Sequence, residues 1–306
     1  MQKNIKEYLV IVLKGVAMGA ADVVPGVSGG TIAFISGIYN KLIDSINAFN
    51  LEAIKILKEK GIKAVFNYVN GSFLLSLLFG IALSVVSLAG LFKWLLEEHP
   101  ILILSFFFGL VLASIYFVGK QIKKWDFITI INLLVGSAIA YYITIIPAMK
   151  THNQDWFLVL AGALAICAMI LPGISGAFIL LLLGVYKPAL EAIHNFDIKK
   201  IALLAFGAVI GLLSFARVLK WLFKNYKDRT LAVLTGFIIG SLNKIWPWKE
   251  TLTWYTNSKG IKLPLIQKNI SPFQTENNQL ILAVILALTG FGLILFLEKI
   301  GQSKTK

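Results

Sequence analysis

Pro25-Gly-Val-Ser-Gly-Gly-Thr31 and Pro172-Gly-Ile-Ser-Gly-Ala-Phe178 are the stretches on which the reading of this 306-residue chain turns. Pro25 cannot continue a helix and disfavours helical geometry in Val24, while Gly26, Gly29 and Gly30 permit backbone conformations closed to other residues. One helix therefore ends at Val24. Another can restart near Ser28, a residue type suited to an N-cap, and would present unpaired amides at the break. Pro172, Gly173, Ser175 and Gly176 repeat these signals, so each string predicts the turn of a helical hairpin.

The strings belong to a longer repeat. Pro172 follows Pro25 by 147 positions (172 − 25), and Gly37, Tyr39, Ile46 and Phe49 recur at that interval as Gly184, Tyr186, Ile193 and Phe196. Further on, Gly80, Lys93-Trp94-Leu95, Gly109 and Ser114 match Gly207, Lys220-Trp221-Leu222, Gly236 and Ser241 at an interval of 127 (207 − 80). The register changes once, across Leu51 to Asn70, a lysine-rich amphipathic segment with no counterpart that reads as a helix on a membrane surface. A register held through two long stretches with shared glycines and prolines implies duplication.

Hydrophobic residues make up 58% of the chain and charged ones 14%, with a mean hydropathy of +0.80. A soluble domain carries about 25% charged residues, so the excess apolar surface must face lipid. Continuous apolar runs such as Phe73 to Leu91 lack the alternation of a barrel strand, which leaves helices. The expected fold is an all-α integral membrane protein of two inverted-topology repeats, each a re-entrant helical hairpin plus three transmembrane helices. The first repeat, 1–150, would hold a hairpin at 8–49, an interfacial helix at 51–68 and helices at 71–95, 100–119 and 126–147. The second, 151–306, would hold a hairpin at 155–196, helices at 200–222, 230–246 and 279–298, and a loop at 247–278. A hairpin adds an even number of crossings and three helices an odd number, which turns the second repeat upside down. Lysines such as Lys120, Lys123, Lys124, Lys220, Lys224 and Lys227 fall on one face, cytoplasmic by the positive-inside rule, with both termini inside. Trp246, Trp248 and Trp254 suit an interfacial aromatic belt on the other.

The net charge of +14 suits an anionic partner, lipid head group or acidic substrate. Only Arg217 and Arg229 are arginines, and no basic stretch is interleaved with aromatics, so nucleic acid is not expected. Cys167 alone makes no disulfide, and His99, His152 and His194 are scattered, so neither metal nor other cofactor is implied. Two hairpin turns meeting at mid-membrane would gather amides and hydroxyls favouring an anion, phosphate above all. Ser28, Gly29, Gly30, Thr31, Ser175 and Gly176 are the candidate contacts, with Pro25, Gly26, Pro172 and Gly173 as hinges. The bland reading is that these small residues only let helices pack closely. Arg217 either pairs with phosphate or snorkels to the interface, and Lys14 carries the same two readings. Asp22 caps the broken turn or takes up a coupled proton; Asp44 and Glu191, equivalent acids, are further candidates for proton coupling.

Gly19-Ala-Ala-Asp-Val-Val-Pro-Gly-Val-Ser-Gly-Gly-Thr31 with Gly37-Ile-Tyr39, and Leu171-Pro-Gly-Ile-Ser-Gly176 with Gly184-Val-Tyr186, closely resemble the bacterial polyprenyl-phosphate transporter family. The resemblance implies translocation of undecaprenyl phosphate from the outer to the inner leaflet of the bacterial cytoplasmic membrane, recycling the carrier lipid for envelope synthesis. The partners it implies are that lipid and the membrane itself; a homodimer is left open. Ala177 and Phe178 stand where the first motif has Gly30 and Thr31, which favours the first half as the phosphate site. Two rivals remain. The motif is also similar to the Pro-Gly-x-Ser-Arg-Ser element of undecaprenyl pyrophosphate phosphatases, although Gly29 and Gly176 replace the arginine and no acidic cluster accompanies the serines. An anion channel or carrier would use the same amides.

Overall fold

The computed structural model describes residues 5–24, 27–147, 149, 154–256, 262–275 and 278–302; Pro25 and Gly26 lie outside the described residues. The chain is mostly helical. The first half contains α1 (Ile5–Val23), α2 (Gly29–Ile35), α3 (Tyr39–Asn47), α4 (Leu51–Tyr68, not the continuous interfacial helix expected but two pieces kinked at Gly61, φ +76°), α5 (Gly71–Glu98), α6 (Pro100–Gly119) and α7 (Phe127–Ile145). The second contains α8 (Asp155–Ile170), α9 (Gly176–Leu182), α10 (Tyr186–His194), α11 (Ile198–Asn225), α12 (Lys227–Ser241), β1 (Lys249–Thr256), β2 (Lys262–Asn269) and α13 (Leu280–Gln302).

Three further sequence expectations need correction. The second hairpin arm, expected to run unbroken to Phe49, breaks again at Gly37, whose φ of +72° favours glycine, and the second half breaks likewise at Gly184 with φ +66°. The returning helices α2 and α9 are consequently seven residues each, and α9 and α10 are bent by 112°. The 247–278 connection is not loop throughout: β1 and β2 pair antiparallel, so the fold is not purely α. Lastly, the helix expected at 230–246 is α12, only 15 residues long. At 1.5 Å per residue it covers about 22 Å, less than a bilayer core of about 30 Å. Among the described residues, four helices are long and apolar enough to cross a membrane, α5 through Gly71–Leu88, α6, α7 and α11, or five if the bent α9–α10 pair is one span.

Close packing is glycine on backbone, and it recurs in matched pairs. A Cβ built at Gly15 or Gly80 would strike the Leu77 or Val12 carbonyl, and one at Gly162 or Gly207 would strike Leu204 or Val159. These pairs join α1 to α5 and, at equivalent positions, α8 to α11. The last helix of each half crosses over: Gly236 of α12 lies on Leu133 of α7, and Gly109 of α6 lies on Ala287 of α13. Where lipid surrounds a helix bundle, the hydrophobic effect does not drive helices together, so such backbone proximity carries the association.

The same contacts give helix directions. Gly15 meets Leu77 to Ile81 and Gly19 meets Ile81 to Ser84, so α1 and α5 run the same way; Gly207 on Val159 and Gly211 on Ala163 align α8 with α11. The α5–α6 and α11–α12 junctions are each a single residue, His99 and Tyr226, so the joined helices turn back on one another. The α6–α7 turn holds Lys120, Lys123 and Lys124, and the amides of Lys123 and Lys124 donate to Asp228 at the start of α12. α5 therefore leaves this lysine-rich end and α11 arrives at it; α1 enters from that end, and α8 from the opposite end, where Trp246 and Trp248 lie.

The helix pairing predicts that Gly109→Leu, forcing a side chain into the Ala287 backbone, lowers stability by at least about 1–3 kcal/mol. Gly90→Ala, where nothing lies within 4 Å of the added carbon, should leave it unchanged. Thermal unfolding in detergent, followed by loss of the monodisperse species, reads both.

Candidate functional site

The two interrupted turns are bonded to each other. Ser28 Oγ donates to the Leu171 carbonyl at 3.1 Å, and the Gly173 amide donates to Thr31 Oγ1 at 2.9 Å. A Cβ at Gly30 would lie 2.6 Å from the Ile170 carbonyl, which is why the backbones can approach here. Gly173, with φ +92° and the Phe237 carbonyl 2.8 Å from its built Cβ, excludes any side chain on both counts.

Within the first turn, the Gly29 and Gly30 amides are satisfied by nearby side chains. Ser28 caps α2 by accepting the Gly30 amide at 3.1 Å. The Gly29 amide donates to Asp22 Oδ1 at 2.7 Å, closing a clasp between the end of α1 and the start of α2. A Cβ at Gly29 would collide with that carboxylate, so Gly29 and Asp22 are mutually required. Asp22 Oδ2 is buried with no hydrogen-bond partner among the described residues. Lys14 Nζ donates to the Ser36 carbonyl at 2.5 Å and ties α1 to the far end of α2.

In the second turn, Met169 stands at the position of Asp22, so there is no clasp, and Ser175 makes no side-chain cap bond. Ser175 instead lines a cleft of only about 10 Å³, together with Gly173, Ile174, Phe178, Thr144, Ser241 and Lys244. The Lys244 ammonium sits 4.3 Å above the Phe178 ring centroid, a cation–π contact. Phe178 thus acts as a platform for a cation, a use that its replacement of Thr31 did not suggest. Thr144 Oγ1 accepts from Asn243 Nδ2 at 2.7 Å, and Asn269 Nδ2 of β2 donates to Asn243 Oδ1 at 2.8 Å, so the β-hairpin anchors one wall. Lys249 Nζ donates to the Lys244 carbonyl. Burial, with the Lys244 charge beside it, brings the Lys249 ammonium down to about 7. The described lining contains one cation, Lys244, with hydroxyls and apolar groups, and no carboxylate.

Sequence reasoning missed Lys244. Its counterpart in the first half is Phe117, buried in the core, and that mismatch between otherwise matching helices was the available signal. Other candidates lie elsewhere. Arg217 is exposed on α11, next to Ala216, whose carbonyl accepts from Asn47 of α3 at 2.8 Å. Asp44 pairs with Lys220 at 2.7 Å, while Glu191 pairs with Lys187 one turn away on its own helix at 3.7 Å. Among the described residues no group of three or more His, Cys, Asp or Glu side chains is placed to hold a metal ion.

Apolar, membrane-capable helices around interrupted, motif-bearing hairpins define a multi-pass α-helical membrane protein in which Lys244 is the one charge lining the cleft among the described residues. Residues 18–263 match the VCA0040-like family, described as undecaprenyl phosphate translocase-like. The chain belongs to that family. It is 49% identical over 300 residues to a polyprenyl-phosphate transporter of Vibrio cholerae, covering 96% of this chain and 97% of the relative. It is 34% identical over 266 residues to a polyprenyl-phosphate transporter of Staphylococcus aureus, covering 80% and 89%. No solved structure matches the chain.

The bonded turns predict that Thr31→Val, which leaves the buried Gly173 amide without its acceptor, lowers stability by about 1–3 kcal/mol. Ser28→Ala, losing both the cap and the Leu171 bond, should cost at least about 1 kcal/mol. Thermal midpoints of the purified variants test both values; unchanged midpoints would mean that the turns do not depend on each other.

Proposed function

We propose that this protein moves a polyprenyl monophosphate, undecaprenyl phosphate in particular, from the outer to the inner leaflet of the bacterial cytoplasmic membrane and so returns the carrier lipid to envelope synthesis. Its two halves are inverted repeats of about 150 residues each (306/2), the lysine-rich end is cytoplasmic, and both termini are inside. Supporting the inversion are the matched glycine contacts and the entry of α1 and α8 from opposite ends. The kinship with proteins named polyprenyl-phosphate transporters supports the cargo.

The single observation that carries the reading is Lys244 beside Ser175, over the Phe178 ring, in a cleft of about 10 Å³ that has no carboxylate among its described lining residues and has to widen to admit a head group. A phosphate head group supplies the missing charge, accepting from the Lys244 ammonium and the Ser175 hydroxyl, while the Thr144 and Ser241 hydroxyls stay bonded to the Tyr141 and Ile238 carbonyls. Its tail remains in hydrocarbon, so only the head needs shelter across the membrane. The cleft lies at the tryptophan-bearing end, where an outer-leaflet lipid presents its phosphate. In this reading the first motif braces the site from behind and the second touches the lipid. Arg217 and Lys220, near the opposite end, receive the head group on release.

Hydrolysis fits less well, because phosphoryl transfer needs strong charge neutralisation together with a positioned base or nucleophile. The test is a leaflet-accessibility assay in proteoliposomes containing polyprenyl phosphate. Lys244→Gln should slow translocation roughly tenfold or more, the worth of one hydrogen bond to a charged group. Ser175→Ala should slow it less, and Arg217→Ala should affect release without abolishing transport. Equal rates in all four proteins would remove the site, and phosphate release from polyprenyl pyrophosphate by the parent would favour the enzyme reading.

A further inference from the structure

The two hairpins, related by sequence, are packed differently. α3 lies against α11 of the other half. There Phe34, Tyr39 and Phe223 stack, the rings of Tyr39 and Phe223 being 5.9 Å apart, and Asp44 reaches Lys220. α10, its counterpart, rests on the α11 of its own half, and its charged pair is local. The equivalent of the α3–α11 contact would place α10 on the outer end of α5, around Phe92 and Leu96. In the structure α10 does not pack along α5 as α3 packs along α11. Exposure records the difference position by position: Tyr39, Ile43 and Ile46 are 3%, 3% and 8% exposed, whereas Tyr186, Leu190 and Ile193 are 37%, 50% and 61% exposed.

We infer that the molecule rests with its lysine-rich end shut and its tryptophan-bearing end open, and that its working cycle exchanges the α3–α11 contact for an α10–α5 contact, Tyr186 meeting Leu96 as Tyr39 meets Phe223. This rests on the inverted-repeat reading above. Three observations point the same way. Lys244, half-buried beside the Ser175 cleft, has the fully buried Phe117 as its counterpart in the first half. Asp22 clasps the first turn, whereas Met169 leaves the second turn without a clasp, so α9 and α10 are the freer pair. The Tyr39 hydroxyl is buried with no hydrogen-bond partner among the described residues, a cost that the opening of this seal would remove. Because two equivalent packings are available to one architecture, neither needs to be much more stable than the other, which is the condition for a population shift.

The experiment uses the full chain in proteoliposomes on a Cys167→Ala background, with a short bifunctional thiosulfonate that a reductant reverses. Tyr39→Cys with Phe223→Cys should cross-link in the resting protein. Tyr186→Cys with Leu96→Cys should cross-link only as the protein cycles, with a yield that rises with polyprenyl phosphate. Each cross-link should stop translocation, and reduction should restore it. If the second pair folds poorly, Leu190→Cys with Phe92→Cys reads the same contact one turn away. Shrinking the seal with Tyr39→Ala should raise the α10–α5 yield roughly tenfold. Translocation that continues while neither outer pair ever cross-links overturns the exchange and leaves the proposed cargo standing. Absence of lipid movement in the reduced parent overturns the cargo instead, and the cross-link yields alone then decide the exchange.

Discussion

Two hydrogen bonds between interrupted turns, Ser28 to Leu171 and Gly173 to Thr31, hold the centre of this protein together. A helix broken inside hydrocarbon exposes amides and carbonyls that lipid cannot satisfy, at a cost of several kcal/mol per group. Each turn meets that requirement partly through the other. The two hairpins are therefore not independent insertions but one structural unit. The glycines at positions 30 and 173 serve this contact by removing the carbon atoms that would keep the backbones apart.

Around that contact the halves have diverged in a consistent direction. The first turn is clasped by Asp22 and capped by Ser28, which take the Gly29 and Gly30 amides. The second lacks the clasp, has a serine with no cap bond, and faces Lys244 poised over Phe178. Lys249 and the β-hairpin add a lid of polar anchors on the same side, through Asn269 and Asn243.

Much of this was legible in the residues alone. Proline and glycine placement marked both turns, because their effects are local and need no tertiary knowledge. The repeat located counterpart helices. What sequence could not reveal was set by contacts across the chain. Gly37 and Gly184 end α2 and α9 early through positive φ angles that a glycine permits but does not announce. The 247–278 connection hid a β-hairpin because its alternation is irregular and interrupted by register shifts at Thr253. The weight given to the first motif as the phosphate site came from residue type. Tertiary bonding directs attention to the second, since hydroxyls and amides already paired have little left to offer a ligand. Lys244 stayed unnoticed beside Trp246, where a lysine reads as an interfacial anchor.

The most direct measurement is the separation between the phosphorus of bound polyprenyl phosphate and the lysine ammonium nitrogens, by solid-state magnetic resonance on lysine-labelled protein in bilayers. A charge-assisted hydrogen bond places those nuclei about 4 Å apart, and the account predicts one such contact, to Lys244, absent from Lys244→Gln. Phosphorus with no lysine nearby, or near lysines of the opposite end alone, would contradict a head-group site beside the second turn.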